Sequence, residues 1–241
     1  MDRLAGQVAI VTGGAGGLGQ EICRVLARDA AQVVCLDVNE DRAREVAERL
    51  RREGGRVTPL AADIGRPETA ADAVARVVRE RDRLDILINN AAVDVTLPAD
   101  ELAVDDWNRI IDTNLNAPYW LARAALPTMK RQGAGQIVNI ASTASKRTWP
   151  NASAYHASKW GLLGLSHALH AEARPHGIKV TAVVSGGMRT PFLLDRFPDI
   201  DTTKLQDARH VAEVVHFVLT RPRETVIPEI MVLPMTETSW P

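Results

Sequence analysis

The sequence is poor in cysteine, lysine, long apolar runs and net charge, and each shortage removes a class of protein. Only two cysteines occur in 241 residues, Cys23 and Cys35. Both fall in apolar patterns, which suits reduced core thiols and a cytoplasmic protein better than a disulfide framework. No histidine cluster lies near them, so a structural zinc site is disfavoured and no metal is expected. No apolar run approaches the roughly 18 residues that a membrane span needs. Met1 to Gly6 shows no charged-then-apolar leader, so no signal peptide is expected. Lys plus Arg is 29 and Asp plus Glu is 30, a formal net charge of -1. No overall basic field exists to hold nucleic acid or an anionic membrane, and neither is expected as a partner. What is present is ordinary soluble composition, 46% hydrophobic and 24% charged. That excludes disordered, collagen-like and coiled-coil chains.

The apolar pattern alternates between two periods. Short apolar runs at Gln7–Thr12, Gln32–Val38, Arg56–Ala62, Leu84–Ala91, Gln136–Ser142, Lys179–Ser185 and Pro228–Leu233 predict seven strands. Helical spacing predicts helices over Gly19–Arg28, Glu40–Glu53, Glu68–Arg81, Asp105–Gln132, Ser153–His176 and Arg209–Leu219. Pro118 and Pro127 predict breaks or kinks in the long helix that contains them. Strand runs without polar alternation suit parallel strands covered on both faces. Right-handed crossovers then give an α/β fold, a Rossmann-type doubly wound parallel sheet of about seven strands. No linker, short repeat or low-complexity tract interrupts residues 1–241, so a single domain is expected.

The first strand runs into T-G-G-A-G-G-L-G, Thr12 to Gly19, and the loop opens a helix. Glycines let backbone approach a pyrophosphate closely, and a helix N-terminus offers unpaired N–H groups. Gly13, Gly17, Leu18 and Gly19 are therefore candidate cofactor contacts. Asp37 ends the second strand about 20 residues further on, where a dinucleotide fold sets a carboxylate on the adenosine ribose. That carboxylate would repel a 2′-phosphate, and no Lys or Arg lies in Gly14 to Leu18 to offset it. NAD is expected rather than NADP, with Arg42 the one basic residue close enough in sequence to favour NADP.

Ser142 ends the fifth strand, where open sheets place their ligand chemistry. Tyr155 and Lys159 lie four apart on the following helix and share a face. A free phenol has a pKa near about 10, too high for easy proton exchange at neutral pH. A neighbouring ammonium, and the positive ring of an oxidised nicotinamide, are expected to lower it. Ser142 would hold a carbonyl or alcohol oxygen beside the phenol, making a general acid/base site for hydride chemistry.

Together these motifs resemble the classical short-chain dehydrogenase/reductase family over nearly the whole chain. Thr12, Gly13, Gly17 and Gly19 match its T-G-x-x-x-G-x-G loop, and Asn89 to Ala92 its N-N-A-G string. Asn114 in D-T-N-L-N matches the family's helix asparagine, and Ser142 stands 13 residues before Tyr155 in Y-x-x-x-K. The resemblance implies a catalytic tetrad of Asn114, Ser142, Tyr155 and Lys159, with Asn114 holding a water through its backbone in a proton relay. It implies that Asp63 and Ile64 meet the adenine, that Asn90 joins the cofactor site, and that Met188 and Thr190 meet the nicotinamide carboxamide. Lys159 would also hold the nicotinamide ribose. A homodimer or homotetramer is implied, through the two long helices.

Three departures stand out: Ala92 in place of the last glycine of N-N-A-G, Ser185 in place of a proline, and an ending V-L-P-M-T-E-T-S-W-P in place of V-D-G-G. Losing the proline is expected to loosen the turn after the sixth strand. A short substrate lid is expected near 190–207, with Phe192, Leu193, Leu194 and Phe197 as its apolar candidates. Trp149 is a further candidate near the site, His156 reads as structural, and Asp94 either meets a polar group of the substrate or, as the more usual case for a lone exposed Asp, is solvated. The leading expectation is an NAD-dependent oxidoreductase of secondary alcohols and ketones. The alternatives are an NADP-dependent 3-oxoacyl-type ketoreductase and a non-catalytic nucleotide sensor.

Overall fold

The computed structural model describes residues 3–237. Its strands are β1 (Val8–Thr12), β2 (Gln32–Asp37), β3 (Arg56–Ala61), β4 (Ile86–Asn89), β5 (Gly135–Ser142), β6 (Ile178–Ser185) and β7 (Glu229–Val232). They form one sheet in the order β3-β2-β1-β4-β5-β6-β7, and every pairing is parallel. The helices are α1 (Gly17–Arg28), α2 (Glu40–Arg52), α3 (Pro67–Arg81), α4 (Val104–Ile111), α5 (Ala117–Gln132), α6 (Ser153–Ala173), α7 (Pro191–Leu194) and α8 (Ala208–Leu219). Successive strand side chains point to opposite faces. Ala9 and Val11 pack with α1, α2 and α8, while Val8 and Ile10 pack with α3, α5 and α6. The sheet is thus doubly wound, as expected. Cys23 and Cys35 are both fully buried free thiols in the α1 layer. No helix among the described residues is long and apolar enough to cross a membrane.

The helix expected over Asp105–Gln132 is broken in the middle. Residues Asp112–Asn116 form a widened turn between α4 and α5, with Ala117 N–H bonded to the carbonyl of Asp112. Pro118 explains the break. It has no N–H for the Asn114 carbonyl four residues earlier, and its ring would clash there in a regular helix. Pro127, by contrast, is accommodated inside α5. Glycine at 161 completes the arrangement: a Cβ there would lie 2.7 Å from Leu115 Cδ2. The widened turn therefore sits directly on α6. β4 is also shorter than expected, because the chain beyond Asn89 turns into the loop that crosses the sheet's carboxyl edge. Met1, Asp2 and the final four residues of the unusual ending lie outside the described residues.

A buried polar chain ties the central strands to α6. Asn89 Nδ2 donates to Asn139 Oδ1 at 2.7 Å, and Asn139 Nδ2 donates to Ser166 Oγ at 2.8 Å. Asn89 and Asn139 are register partners across β4 and β5, and Asn139 is fully buried. Asn139→Ala would strand the Asn89 amide and leave the Ser166 hydroxyl only its bond to the Leu162 carbonyl. We expect a loss of about 2 kcal/mol, read as a Tm lower by roughly 4–8 °C. A melting curve matching wild type would show that this chain carries no stability.

Candidate active site

The strand order reverses between β1 and β4, and the crevice at their carboxyl ends is where such sheets bind ligands. One side chain closes its floor. Thr12 Oγ1 accepts from the backbone N–H of Asn90 at 3.0 Å and of Ala91 at 3.1 Å, and it donates to the Ile88 carbonyl. Asn90 Nδ2 returns the contact to the Thr12 carbonyl at 2.9 Å and to that of Gly13 at 3.2 Å. The approach is so close that a Cβ on Gly13, at φ +59°, would lie 2.9 Å from Ala91 Cα. A Cβ on Gly19 would fall 2.0 Å from the Gly13 carbonyl oxygen. Gly16 caps α1 without any side-chain hydrogen bond, while the Thr190 side chain packs against Gly17, where a Cβ would lie 2.6 Å from Thr190 Cγ2. Asp37 is fixed at the end of β2. Its Oδ2 accepts from Ala15 N–H at 3.1 Å and its Oδ1 from Asn39 N–H at 3.0 Å.

At the other end, Ser142 finishes β5 and caps a short turn, its Oγ accepting from Ala144 N–H at 3.1 Å. The next helix, α6, brings Tyr155 and Lys159 beneath it. The Ser142 hydroxyl lies close enough to the phenol of Tyr155 to favour its anionic form. Lys159 Nζ lies 5.7 Å from the Tyr155 ring centre and donates to the Ile140 carbonyl at 2.9 Å. Asn114, in the widened turn, is clamped to the β4 loop. Its Oδ1 accepts from Val93 N–H and its Nδ2 donates to the Val93 carbonyl, both at 2.8 Å. It also donates to Ser158 Oγ at 3.1 Å, and Ser158 donates to the Tyr155 carbonyl at 2.8 Å. His156 braces the loop after Ser142: Nδ1 lies 3.0 Å from the Ala144 carbonyl, and Nε2 accepts from Trp149 N–H at 3.1 Å.

One cavity of about 740 Å³ joins these two ends. Gly13, Gly17, Leu18, Gly19, Asp37, Asp63, Ile64, Asn90, Tyr155, Lys159, Met188 and Thr190 all stand on its wall. Asn114 is fully buried behind it and Ser142 nearly so. Of the lid candidates Phe192 reaches the wall, while Leu193, Leu194 and Phe197 do not; nor does Trp149, which lies edge-on to His156. Asp94 is not the solvated carboxylate expected: its side chain is 5% exposed and pairs with Arg196. No local pattern announces that pair, because 102 residues separate its members. Arg66 and Thr113 are wall residues with no motif to mark them. The turn after β6 is tied rather than loosened. Ser185 Oγ donates to the Ala141 carbonyl at 3.2 Å, and Gly186 N–H donates to the Val232 carbonyl at 2.9 Å. Glu237 Oε2 adds a contact to Gly187 N–H at 3.3 Å.

A family model for short chain dehydrogenase matches residues 7–201. The chain belongs to the short-chain dehydrogenase family. It is 35% identical to YxjF, an uncharacterized oxidoreductase of Bacillus subtilis, over 213 residues, 88% of this chain and 83% of that protein. Among solved structures, a metagenomic short-chain oxidoreductase in complex with NADP superposes with a TM-score of 0.86 at 33% identity, covering 97% of this chain and 99% of that one. An alcohol dehydrogenase from the archaeon Thermococcus sibiricus, complexed with 5-hydroxy-NADP, gives 0.88 at 25% identity over 96% and 97%.

The dehydrogenase fits a dinucleotide on its own geometry. The cavity volume lies in the range of roughly 300–1,000 Å³ typical of cofactor sites, and the glycine loop leaves backbone rather than side chains at its floor. Lys159 is 3% exposed yet uses one acceptor for three donor hydrogens. The unused N–H bonds suit the hydroxyls of a ribose.

The electrostatics reverse one expectation. Burial pushes the Tyr155 phenol up to about 12, and the Asp94 carboxylate adds to the rise. The Ser142 hydrogen bond and Arg196 oppose it without prevailing. Lys159 does not rescue the phenolate, because burial pushes its own ammonium down to about 8. In the dehydrogenase alone the phenol is therefore a protonated donor at neutral pH.

These shifts fix the sign of a pH effect on stability. Between about 8 and 10.5 the folded chain has released the Lys159 proton while the unfolded chain keeps it, so stability rises with pH. Between 10 and about 12 the folded chain keeps the Tyr155 proton that the unfolded chain loses, so stability falls. We expect the stability difference between wild type and Lys159→Met to shift in favour of wild type by about 1–2 kcal/mol from pH 7.5 to 9.5. Urea unfolding at both pH values measures it; an unchanged difference would count against the depressed lysine.

Proposed function

We propose that this dehydrogenase transfers a hydride between NAD(H) and a secondary alcohol or ketone, with Tyr155 as general acid/base. The observation that carries the reading is one cavity, with the glycine loop and Asp37 at one end and Tyr155 and Lys159 at the other; Ser142 lies just behind the wall at that end. Gly13, Gly17, Leu18 and Gly19 would hold the pyrophosphate and Asp37 the adenosine ribose. Asp63 and Ile64 would meet the adenine, Met188 and Thr190 the carboxamide, and Asn90 the loop floor beneath. A bound nicotinamide supplies or accepts the hydride. The chain's own residues manage the proton. In reduction Tyr155 Oη donates its proton to the carbonyl oxygen, which Ser142 holds in place; in oxidation Oη takes the proton from the carbinol. Asn114 supports proton resupply: its side chain is engaged by Val93 and Ser158, and Pro118 offers its carbonyl no N–H, so that carbonyl can hold a water. Exposed rings of Trp107 on α4, Tyr119 on α5 and Trp160 on α6 support assembly with further copies of the chain.

Tyr155→Phe keeps the ring and removes the proton. Turnover should fall by roughly 10²–10⁴-fold, with cofactor affinity little changed. In wild type, oxidation should quicken as pH rises, since the base form is needed, and reduction should favour the acid side. Steady-state rates of nicotinamide absorbance in both directions test this. Activity within a few fold of wild type in the variant would remove Tyr155 from the role.

NAD is favoured by Asp37, whose two oxygens are fixed by backbone N–H groups and face no neighbouring cation at Val38. A 2′-phosphate would meet that fixed negative charge. The second reading, an NADP-dependent 3-oxoacyl-type ketoreductase, draws support from the NADP complexes among the similar structures. Titrating both oxidised cofactors decides: NAD should bind roughly tenfold tighter or more, and Asp37→Ala should shrink that gap mainly by weakening NAD. Equal or tighter binding of NADP to wild type would reverse the assignment.

A further inference from the structure

The wall of the cavity changes character along its length. Asp37, Asp63 and Arg66 stand at the ends of β2 and β3, and Asp105, Arg109 and Asp112 share one face of α4 that leads to Thr113. Thr113 adjoins the loop after β3, its Oγ1 lying 3.6 Å from where a Cβ on Gly65 would be. Around Tyr155 the wall is drawn from the β4 loop, the end of β5 and the segment after β6. These supply Val93, Ile140, Met188 and Phe192 among small neutral residues, and none of their wall residues is charged. Among the described residues Lys159 is the one charged wall residue at that end, and its spare hydrogens suit the ribose.

Two further charges act on Tyr155 but are withdrawn from the wall. Asp94 and Arg196 pair with each other, and neither lines the cavity. Arg196 instead backs the wall. Its Nε donates to the Phe192 carbonyl at 2.9 Å, and its guanidinium lies 4.3 Å from the Phe192 ring centre. Phe192 is on the wall and Arg196 is not, so the ring stands between the guanidinium and the cavity. The backbone around it is held as well: Leu193 and Leu194 N–H both donate to the Thr190 carbonyl at 3.0 Å, and Thr190 is buried against Gly17. The Phe192 ring is thus a fixed, exposed apolar surface, its centre 6.1 Å from that of the Tyr155 ring.

We propose that Phe192 is a specificity residue that packs against the carbon arm of the substrate, and that the preferred substrates are uncharged secondary alcohols and ketones bearing an apolar alkyl or aryl arm. The inference rests on the alcohol–ketone reading above and narrows it. A carboxylate or phosphate on the arm would lose its water against Val93 and Phe192 and find no counter-charge on the wall, since Arg196 is already paired with Asp94. Extra hydroxyls fare little better: Ser185, a polar wall residue at this end, already donates its hydroxyl to the Ala141 carbonyl. An apolar arm gains with every carbon it buries, and an aryl arm also gains from ring-to-ring contact with Phe192. Arg196 serves this arrangement from behind, as the cation that fixes the ring.

The test compares 2-butanol, 1-phenylethanol and 3-hydroxybutyrate as substrates of wild type, Phe192→Leu and Phe192→Ala, each with saturating oxidised cofactor. In wild type kcat/KM for 1-phenylethanol should exceed that for 2-butanol by roughly tenfold or more, and 3-hydroxybutyrate should fall below both. Phe192→Ala should bring the ratio of the two neutral alcohols close to one, through a higher KM for 1-phenylethanol. Phe192→Leu keeps apolar area and should retain part of the preference, which carries the test if the alanine variant does not fold. A preference for 1-phenylethanol that is absent in wild type, or intact in Phe192→Ala, overturns the proposal. So does a preference for 3-hydroxybutyrate, which would require a cation free to meet it at this end. Binding separates this inference from the reading beneath it. In Tyr155→Phe with oxidised cofactor, 1-phenylethanol should raise Tm more than 2-butanol does, and adding Phe192→Ala should abolish the difference. Phe192-dependent binding without any turnover in wild type would leave the apolar site standing and sink the alcohol–ketone chemistry. Turnover with no Phe192-dependent binding would leave that chemistry standing and sink the apolar site.

Discussion

The close approach of the β1 and β4 carboxyl ends sets every other feature of the cavity. Thr12 holds the first two residues of the β4 loop, and Asn90 holds the last strand residue and the first glycine in return. The separation that results leaves no room for a Cβ on Gly13 or Gly19. That is why the floor of the crevice is bare backbone, and why α1 starts there without a side-chain hydrogen bond at its cap. The same contact fixes where the β4 loop begins. Three residues further on, the loop is fixed a second time by Asn114 at Val93.

Asn114 shows how one irregularity is recruited for two purposes. Pro118 forbids a regular helix at that point, and the widened turn projects the asparagine amide onto the β4 loop and onto Ser158. Gly161 permits the turn to rest on α6, two residues past Lys159. Thus the helix that carries Tyr155 and Lys159 is registered against the loop that carries Val93 and Asp94. A straight helix over the same residues would place the amide elsewhere and leave the loop unanchored.

The charged groups at this end are all poorly solvated, and their mutual arrangement decides the protonation of Tyr155. Burial raises the phenol and depresses the Lys159 ammonium, so each group is held away from its charged form. Asp94 and Arg196 act on Tyr155 in opposite directions. The phenol thereby stays a donor at neutral pH, and its conversion to a base depends on positive charge brought to it.

The sequence by itself determined the order of strands and helices, the parallel sheet and the glycine loop. These depend on local signals: apolar runs of strand length, helical spacing, and a string of glycines between the two. The chain's local pattern also pointed to Gly13, Gly17, Leu18, Gly19, Asp37, Tyr155 and Lys159, and its family resemblance to Asp63, Ile64, Asn90, Met188 and Thr190, and all of these share one cavity wall. Tertiary structure alone decided the rest. The split of the long helix at Asn114 was visible only as a proline warning; its geometry required α6 and Gly161 to be in place. Asp94 read as a solvated acid until Arg196, 102 residues away, was folded against it. The direction of the Tyr155 shift could not follow from a lysine four residues on, since burial is the largest cause for both groups. Burial is a property of the assembled chain, and no spacing along the sequence encodes it.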